Sequence, residues 1–309
     1  MHDIATAVLC FIFGIFSLVW PATGRFSIGD LSLLRGWFIG PLWLLAGAGI
    51  LWFCSRSIKK APECIRFVRR FYPELLFGFL FMESIRLSSV ALGGTAHDAA
   101  FARFDLWLFG CEPSLVLASA AWQRPVLNEI MFGSYFLFYP MLALTPMIPY
   151  FRGDLDEAER EESIFSFFML VLFIFYVFFR VEGPKYWVDG LEALRYGEFK
   201  GGIFTLFFTG LIFPDSILSG AAFPSSHVAI SALMTVYAAK TMKKLLPLYI
   251  AVCLLIAMAT VYIYAHWTAD VLAGFLCCAV LVPPFNAFFR WTERRRRLRI
   301  GENPDAWKK

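Results

Sequence analysis

Apolar residues fill this chain in eight runs, parted by polar stretches. They cover about residues 4–20, 35–54, 73–92, 127–150, 163–181, 226–243, 245–265 and 268–290. A hydrocarbon core of about 30 Å is crossed by roughly 20 helical residues. The pattern therefore predicts an all-α, polytopic transmembrane bundle of about eight spans. Glu83 and Arg86 interrupt the third run. Three residues apart, they share a helical face, and charges inside a membrane face the bundle interior. The spacing leaves two readings open, a structural ion pair and a substrate contact. Two further segments, 103–122 with Trp107, Phe109 and Trp122, and the Gly-punctuated 201–213, read as interfacial or re-entrant pieces.

Charge placement orients the bundle. Basic residues gather at 55–72 (Arg56, Lys59, Lys60, Arg66, Arg69, Arg70), at Lys240, Lys243 and Lys244, and in the tail (Arg290, Arg294 to Arg297, Arg299, Lys308, Lys309). With eight spans all three groups fall on the side of both termini, which the positive-inside rule makes cytoplasmic. A ninth span at 201–213 would send the arginine tail outside. The loops 21–34, 93–126 and 182–225, and the turn near His266, then lie on the extracytoplasmic side.

Composition narrows the class. The 309 residues are 59% hydrophobic and 17% charged, with a mean hydropathy of +0.64, more apolar surface than a soluble domain can hide. The net charge of +4 is small, and the arginine cluster beside a span fits anionic headgroups. No recognition motif accompanies it, so no nucleic-acid partner is expected. The seven cysteines, none in a Cys-x-x-Cys pair, indicate neither zinc nor a disulfide framework. The N-terminal run lacks a basic flank and reads as a retained span.

Four histidines exist, and two stand where polar segments meet apolar runs: Phe223-Pro224-Ser225-Ser226-His227 and Tyr264-Ala265-His266-Trp267-Thr268-Ala269-Asp270. His266 and Asp270 are one turn apart, so the carboxylate can accept the imidazole N–H and leave the other nitrogen free to attack. His227 lies one out-and-back pair of helices earlier, which returns it to the same membrane face. Pro224-Ser225-Ser226 reads as a capped helix start, whose exposed N–H groups suit a phosphate. Arg180-Val181-Glu182-Gly183-Pro184-Lys185 closes the fifth run on that side. Its turn aims Lys185, and with it Arg180, at the interface, where positive charge neutralises phosphoryl oxygens. Snorkelling to headgroups is the other reading of both cations. Glu129, Tyr135 and Tyr139 are candidates for lining the pocket, with core packing the more frequent explanation. Asp105 reads as a cap for segment 106–112.

The Pro-Ser-x-His and His-x-x-x-Asp pair resembles the type 2 phosphatidic acid phosphatase (PAP2) superfamily. The stretches Asp105-Leu106-Trp107-Leu108-Phe109-Gly110-Cys111-Glu112-Pro113 and Glu182-Gly183-Pro184-Lys185-Tyr186 look closest to its inositolphosphotransferase-like branch, which includes inositol phosphorylceramide synthases. The resemblance covers about residues 100–285 and implies a six-helix catalytic core. Residues 1–99 would then be N-terminal membrane helices, 100–290 the catalytic domain and 291–309 a basic cytoplasmic tail. It also implies His266 as the nucleophile forming a phosphohistidine, Asp270 as its orienting group, and His227 as the acid for the leaving group. The reaction would need no metal and no cofactor, and the substrate would be a phosphorylated lipid met in the bilayer. Two features depart from the family. Its first motif, a lysine six residues ahead of Arg-Pro, is absent, and Lys185 substitutes only by position. The arginine that many relatives carry shortly before the second histidine is missing, with Thr260, Tyr264 and Ala265 there instead. Arg180, Arg195 or Arg86 would have to supply that charge. Hydrolysis, transfer to a lipid hydroxyl, and a non-enzymatic lipid-binding or transport role remain the competing functions. The oligomeric state is not legible.

Overall fold

A computed structural model describes residues 1–19, 31–55, 62–92, 96–118, 123–187, 199–212, 220–299 and 301. Among these the regular structure is helical, apart from one isolated parallel bridge between Val181 and Ala221. Seven of the eight apolar runs each fall in one helix, and the run 127–150 divides at Thr145-Pro146 into two, Pro125–Leu144 and α7 (Met147–Phe151). Among the described residues five helices are long and apolar enough to cross a membrane: α1 (His2–Val19), α6 (Pro125–Leu144), α8 (Leu155–Phe178), α12 (Leu246–Tyr262, with the preceding 3₁₀ turn) and α13 (Thr268–Arg299). The protein is therefore an integral membrane protein. The other three runs lie in further helices. The described apolar part of α2 (Leu31–Ser55) is Ile39–Ser55. Charged residues punctuate α3 (Glu63–Leu92), and α11 (Ser226–Thr241) has only 16 residues.

The chain forms two compact units. The first comprises Met1–Ala91, Met147–Val177 and Val280–Lys309. There α1 packs along α2, and α3 meets α8 through an aromatic layer in which Phe77 lies 5.4 Å from Phe173 and Phe81 lies 6.1 Å from Tyr176. The expected Glu83–Arg86 pair forms. Arg86 donates to both Glu83 oxygens, at 2.8 and 2.6 Å, and to Ser17 Oγ of α1 at 2.6 Å. Ser17 in turn donates to Glu83 at 2.8 Å. That closed network is the structural ion pair of the two readings.

The second unit, Leu92–Pro146 and Phe178–Ala279, holds both histidine motifs. Its frame is α6, α11 and α12 packed on one another. Proline in the first turn of α6 and of α12 starts those helices where its missing N–H costs nothing. The 103–122 segment begins inside α4 (Asp98–Phe109) and contains α5 (Pro113–Ala118), and 201–213 contains α10 (Ile203–Phe207) followed by a π-helical turn, Phe208–Ile212. Trp107 and Ile203 are about four-fifths exposed, apolar faces of the kind that lipid covers.

Candidate active site

His266 sits in the turn between α12 and α13. Tyr264 adopts a left-handed φ of 45°, and the N–H groups of Ala265 and His266 both donate to the Thr260 carbonyl at 3.1 Å. This tight winding stops α12 and presents the imidazole before α13 begins. Asp270, third residue of α13, accepts the Trp267 N–H at 2.9 Å, the back-bonding half of a capping box. The expectation for Asp105 is corrected here. The helix containing it starts at Asp98, so Asp105 caps nothing of its own. It accepts instead the backbone N–H of Thr268 at 3.2 Å and the Thr268 hydroxyl, which caps α13 from another helix.

His266 Nδ1 lies 2.8 Å from the Ala222 carbonyl and 3.3 Å from Asp270 Oδ2. A carbonyl only accepts, so Nδ1 carries the hydrogen and Nε2 keeps its lone pair. The carbonyl is thus the nearer orienting partner, and Asp270 shares a role assigned on sequence to it alone. Ala222 is held in place because its own N–H donates to Val181 at 2.9 Å. Burial pushes the His266 imidazole down to about 4, against the opposing pull of the Ala222 hydrogen bond, so the ring is neutral at pH 7.

His227 begins α11. Ser225 caps that helix by accepting the Val228 N–H at 3.4 Å, and its own N–H donates to the Asp270 carbonyl at 3.0 Å. A Cβ on Gly274 would stand 2.9 Å from the Ser225 carbonyl oxygen, so only glycine lets α13 come this close to the cap. Ser226 is buried beside it. The His227 ring stacks on Tyr135 at 4.3 Å, touches Phe138 at 4.3 Å, and has Tyr139 edge-on at 6.3 Å. Neither ring nitrogen has a hydrogen-bond partner among the described residues. The two imidazoles face each other with centroids 6.1 Å apart at 62°, so the chain brings both histidines to one place.

The cations are arranged less openly. Arg180 is buried and donates to Glu182 at 3.2 and 2.5 Å. Lys185 is half-buried in α9 (Pro184–Trp187), with its backbone N–H on the Tyr264 carbonyl at 3.2 Å. Gly183, at φ 92°, lies against the His266 turn: a Cβ there would stand 2.5 Å from the Ala265 oxygen. Arg86 belongs to the first unit and binds Glu83 and Ser17; Arg195 lies outside the described residues. Glu129 accepts the N–H groups of Gly202, Phe204 and Thr205 and the Thr205 hydroxyl, which anchors the start of α10. Its carboxylate is occupied in joining α6 to that segment.

Sequence reasoning passed over three contributors. The Ala222 carbonyl carries no signal in a one-letter code. Phe138 sits one residue before Tyr139 on the same helix and could have been found by asking what else on α6 flanks a ring. Asp98, the acid in the first turn of α4, is the third. It is fully buried and accepts from Glu182 N, Gly183 N and Trp267 Nε1. Among the described residues no three His, Cys, Asp or Glu side chains gather so as to hold a metal ion.

A neutral histidine with a fixed tautomer facing a second, unpartnered histidine sets a nitrogen nucleophile and a proton donor or acceptor side by side. The sequence profile of the PAP2 superfamily matches residues 99–283, which takes in both histidine motifs. No curated protein and no solved structure matches the chain. With that profile spanning well over half its length, the chain belongs to the PAP2 superfamily.

Proposed function

We propose that the protein is a membrane phosphatase or phosphotransferase in which His266 attacks the phosphorus of a lipid phosphate. One observation carries this reading: Nδ1 of His266 is held by the Ala222 carbonyl, which leaves the lone pair of the neutral ring on Nε2. The Nε2 lone pair forms the N–P bond while the P–O bond to the leaving alcohol breaks. His227 delivers its proton to that alcohol oxygen. A phosphoryl dianion beside His227 favours the protonated imidazole that this step requires. In the second half, water or a lipid hydroxyl attacks the phosphohistidine, His227 takes its proton, and His266 is released. Lys185, Arg180 and the N-terminus of α11 behind Ser225 and Ser226 would steady the phosphoryl oxygens.

On the eight-span reading of the sequence, with the basic loops and both termini cytoplasmic, this chemistry would lie at the extracytoplasmic face. Hydrolysis and transfer share the first step. Two features favour transfer to a lipid hydroxyl: the resemblance of the Asp105 and Gly183 stretches to the inositolphosphotransferase-like branch, and the burial of His266 and His227, at 5% and 9% exposure. The test uses the purified full chain in lipid nanodiscs with radiolabelled dioctanoyl phosphatidic acid and other lipid phosphates, quenched without acid. Label bound to the wild type and absent from His266→Ala is the expected result. Undiminished turnover in His266→Ala would remove the nucleophile assignment.

A further inference from the structure

Asp98 is fully buried, and its carboxylate is met by N–H donors from two separate segments. Oδ2 accepts from Glu182 N at 2.9 Å; Oδ1 accepts from Gly183 N and from Trp267 Nε1, both at 2.8 Å. The preceding residue, His97, donates its own N–H to the Arg180 carbonyl at 3.0 Å. These donors frame His266. Trp267, itself fully buried, is the next residue in the chain. Gly183 abuts the carbonyl of Ala265, the residue before. The 180–183 segment also carries Val181, whose carbonyl holds Ala222 N, and the Ala222 carbonyl holds His266 Nδ1. One carboxylate thus ties down both flanks of the imidazole and the strand-like segment that fixes its tautomer. A helix-capping acid would not do this, since its oxygens would turn back on the first turn of its own helix.

We propose that Asp98 is a positioning residue for the phosphoryl-transfer site, acting through Trp267 and the 180–183 segment to hold His266 Nε2 in line with the phosphorus. The inference rests on the reading of His266 as the nucleophile. Asparagine at 98 keeps the size but offers one acceptor oxygen and sets an NH₂ against an N–H. Phenylalanine at 267 removes one donor and leaves the other two. A misaligned nucleophile harms the transition state more than ground-state anion binding. Vanadate and inorganic phosphate separate the two, because vanadate takes a fifth ligand from the attacking nitrogen and phosphate does not.

The experiment measures the affinity of both anions for the full chain in nanodiscs, in wild type, Asp98→Asn, Trp267→Phe and His266→Ala. Asp98→Asn is expected to weaken vanadate by about tenfold to a hundredfold, the size of a lost hydrogen bond to a charged group. Phosphate should move by less than about threefold, since its binding does not depend on in-line alignment. Trp267→Phe should shift the same ratio in the same direction by less, and it carries the test if Asp98→Asn fails to fold. If vanadate weakens in His266→Ala but holds in both other variants, the positioning role is overturned and the nucleophile stands. Equal weakening of both anions in Asp98→Asn and Trp267→Phe would mark Asp98 as structural only. If His266→Ala binds vanadate like the wild type, the nucleophile reading and this inference fall together.

Discussion

Two buried polar clusters, one in each unit, use similar residues and end differently. In the first, Ser17, Glu83 and Arg86 bind one another, charge against charge, inside an apolar bundle. In the second, His227 has two unpartnered ring nitrogens, and Asp270 Oδ1 likewise lacks a partner among the described residues. A closed network holds helices together, whereas buried polar atoms left open mark a place where a ligand completes the hydrogen bonding. The two clusters should therefore respond to mutation in opposite ways.

The largest contrast is in turnover. His266→Ala should lower kcat for a lipid phosphate by at least about 10⁴-fold, since removing a nucleophile disables the step outright. Removing the acid is milder: His227→Ala should cost about 10² to 10⁴-fold with a lipid alcohol leaving group. That loss should shrink with p-nitrophenyl phosphate, whose leaving group needs no proton. An equal loss on both substrates would deny His227 its role as acid.

Stability should show the reverse pattern. Arg86→Met leaves Glu83 buried without its cation and should cost about 3 kcal/mol in unfolding free energy, read by denaturant titration in detergent. The kcat of the folded fraction should be unchanged, and Glu83→Gln added to Arg86→Met should recover much of the stability. A fall in kcat would mean that the closed cluster also serves the reaction.

Acidity sharpens the comparison further. His266 binds its proton at about 4 when folded and near 6.5 when unfolded. Between those values the unfolded state holds more protons, so this stability contribution is complete above about 6.5 and is lost as pH falls toward 4. Nε2 remains unprotonated through that window, so the acid limb of kcat/KM that belongs to His266 should fall near pH 4. A limb near 6.5 would show an imidazole open to water. The smallest effect is expected at the wall of the site. Tyr135→Leu gives up the stacking on His227, worth about 1 kcal/mol, and should change kcat by under about tenfold.

Much of this molecule is local in origin. Runs of apolar residues dictate helices because no other backbone satisfies its own polar groups in lipid, and all eight runs are helical. His266 lies in the turn just before α13, and the four-residue separation still brings its ring within 3.3 Å of Asp270. The same locality explains the Glu83–Arg86 pair and the Ser225 cap. Sequence spacing also suffices to return His227 to His266, because a helix pair joined by a turn has little choice of destination.

What the tertiary structure alone decided lies in contacts far apart along the chain. The carbonyl that fixes the His266 tautomer comes from 44 residues away, the acid capping α13 from 163, and the Asp98–Trp267 bond spans 169. A backbone carbonyl has no letter of its own, and a buried aspartate looks in sequence like any helix-starting acid. Whether Arg180 faces a phosphate or Glu182, and whether Glu129 lines a pocket or anchors α10, depends on which neighbour packing delivers. Helices and their apolar faces follow from local pattern and solvent; the partner each polar atom receives follows from how the folded chain closes on itself.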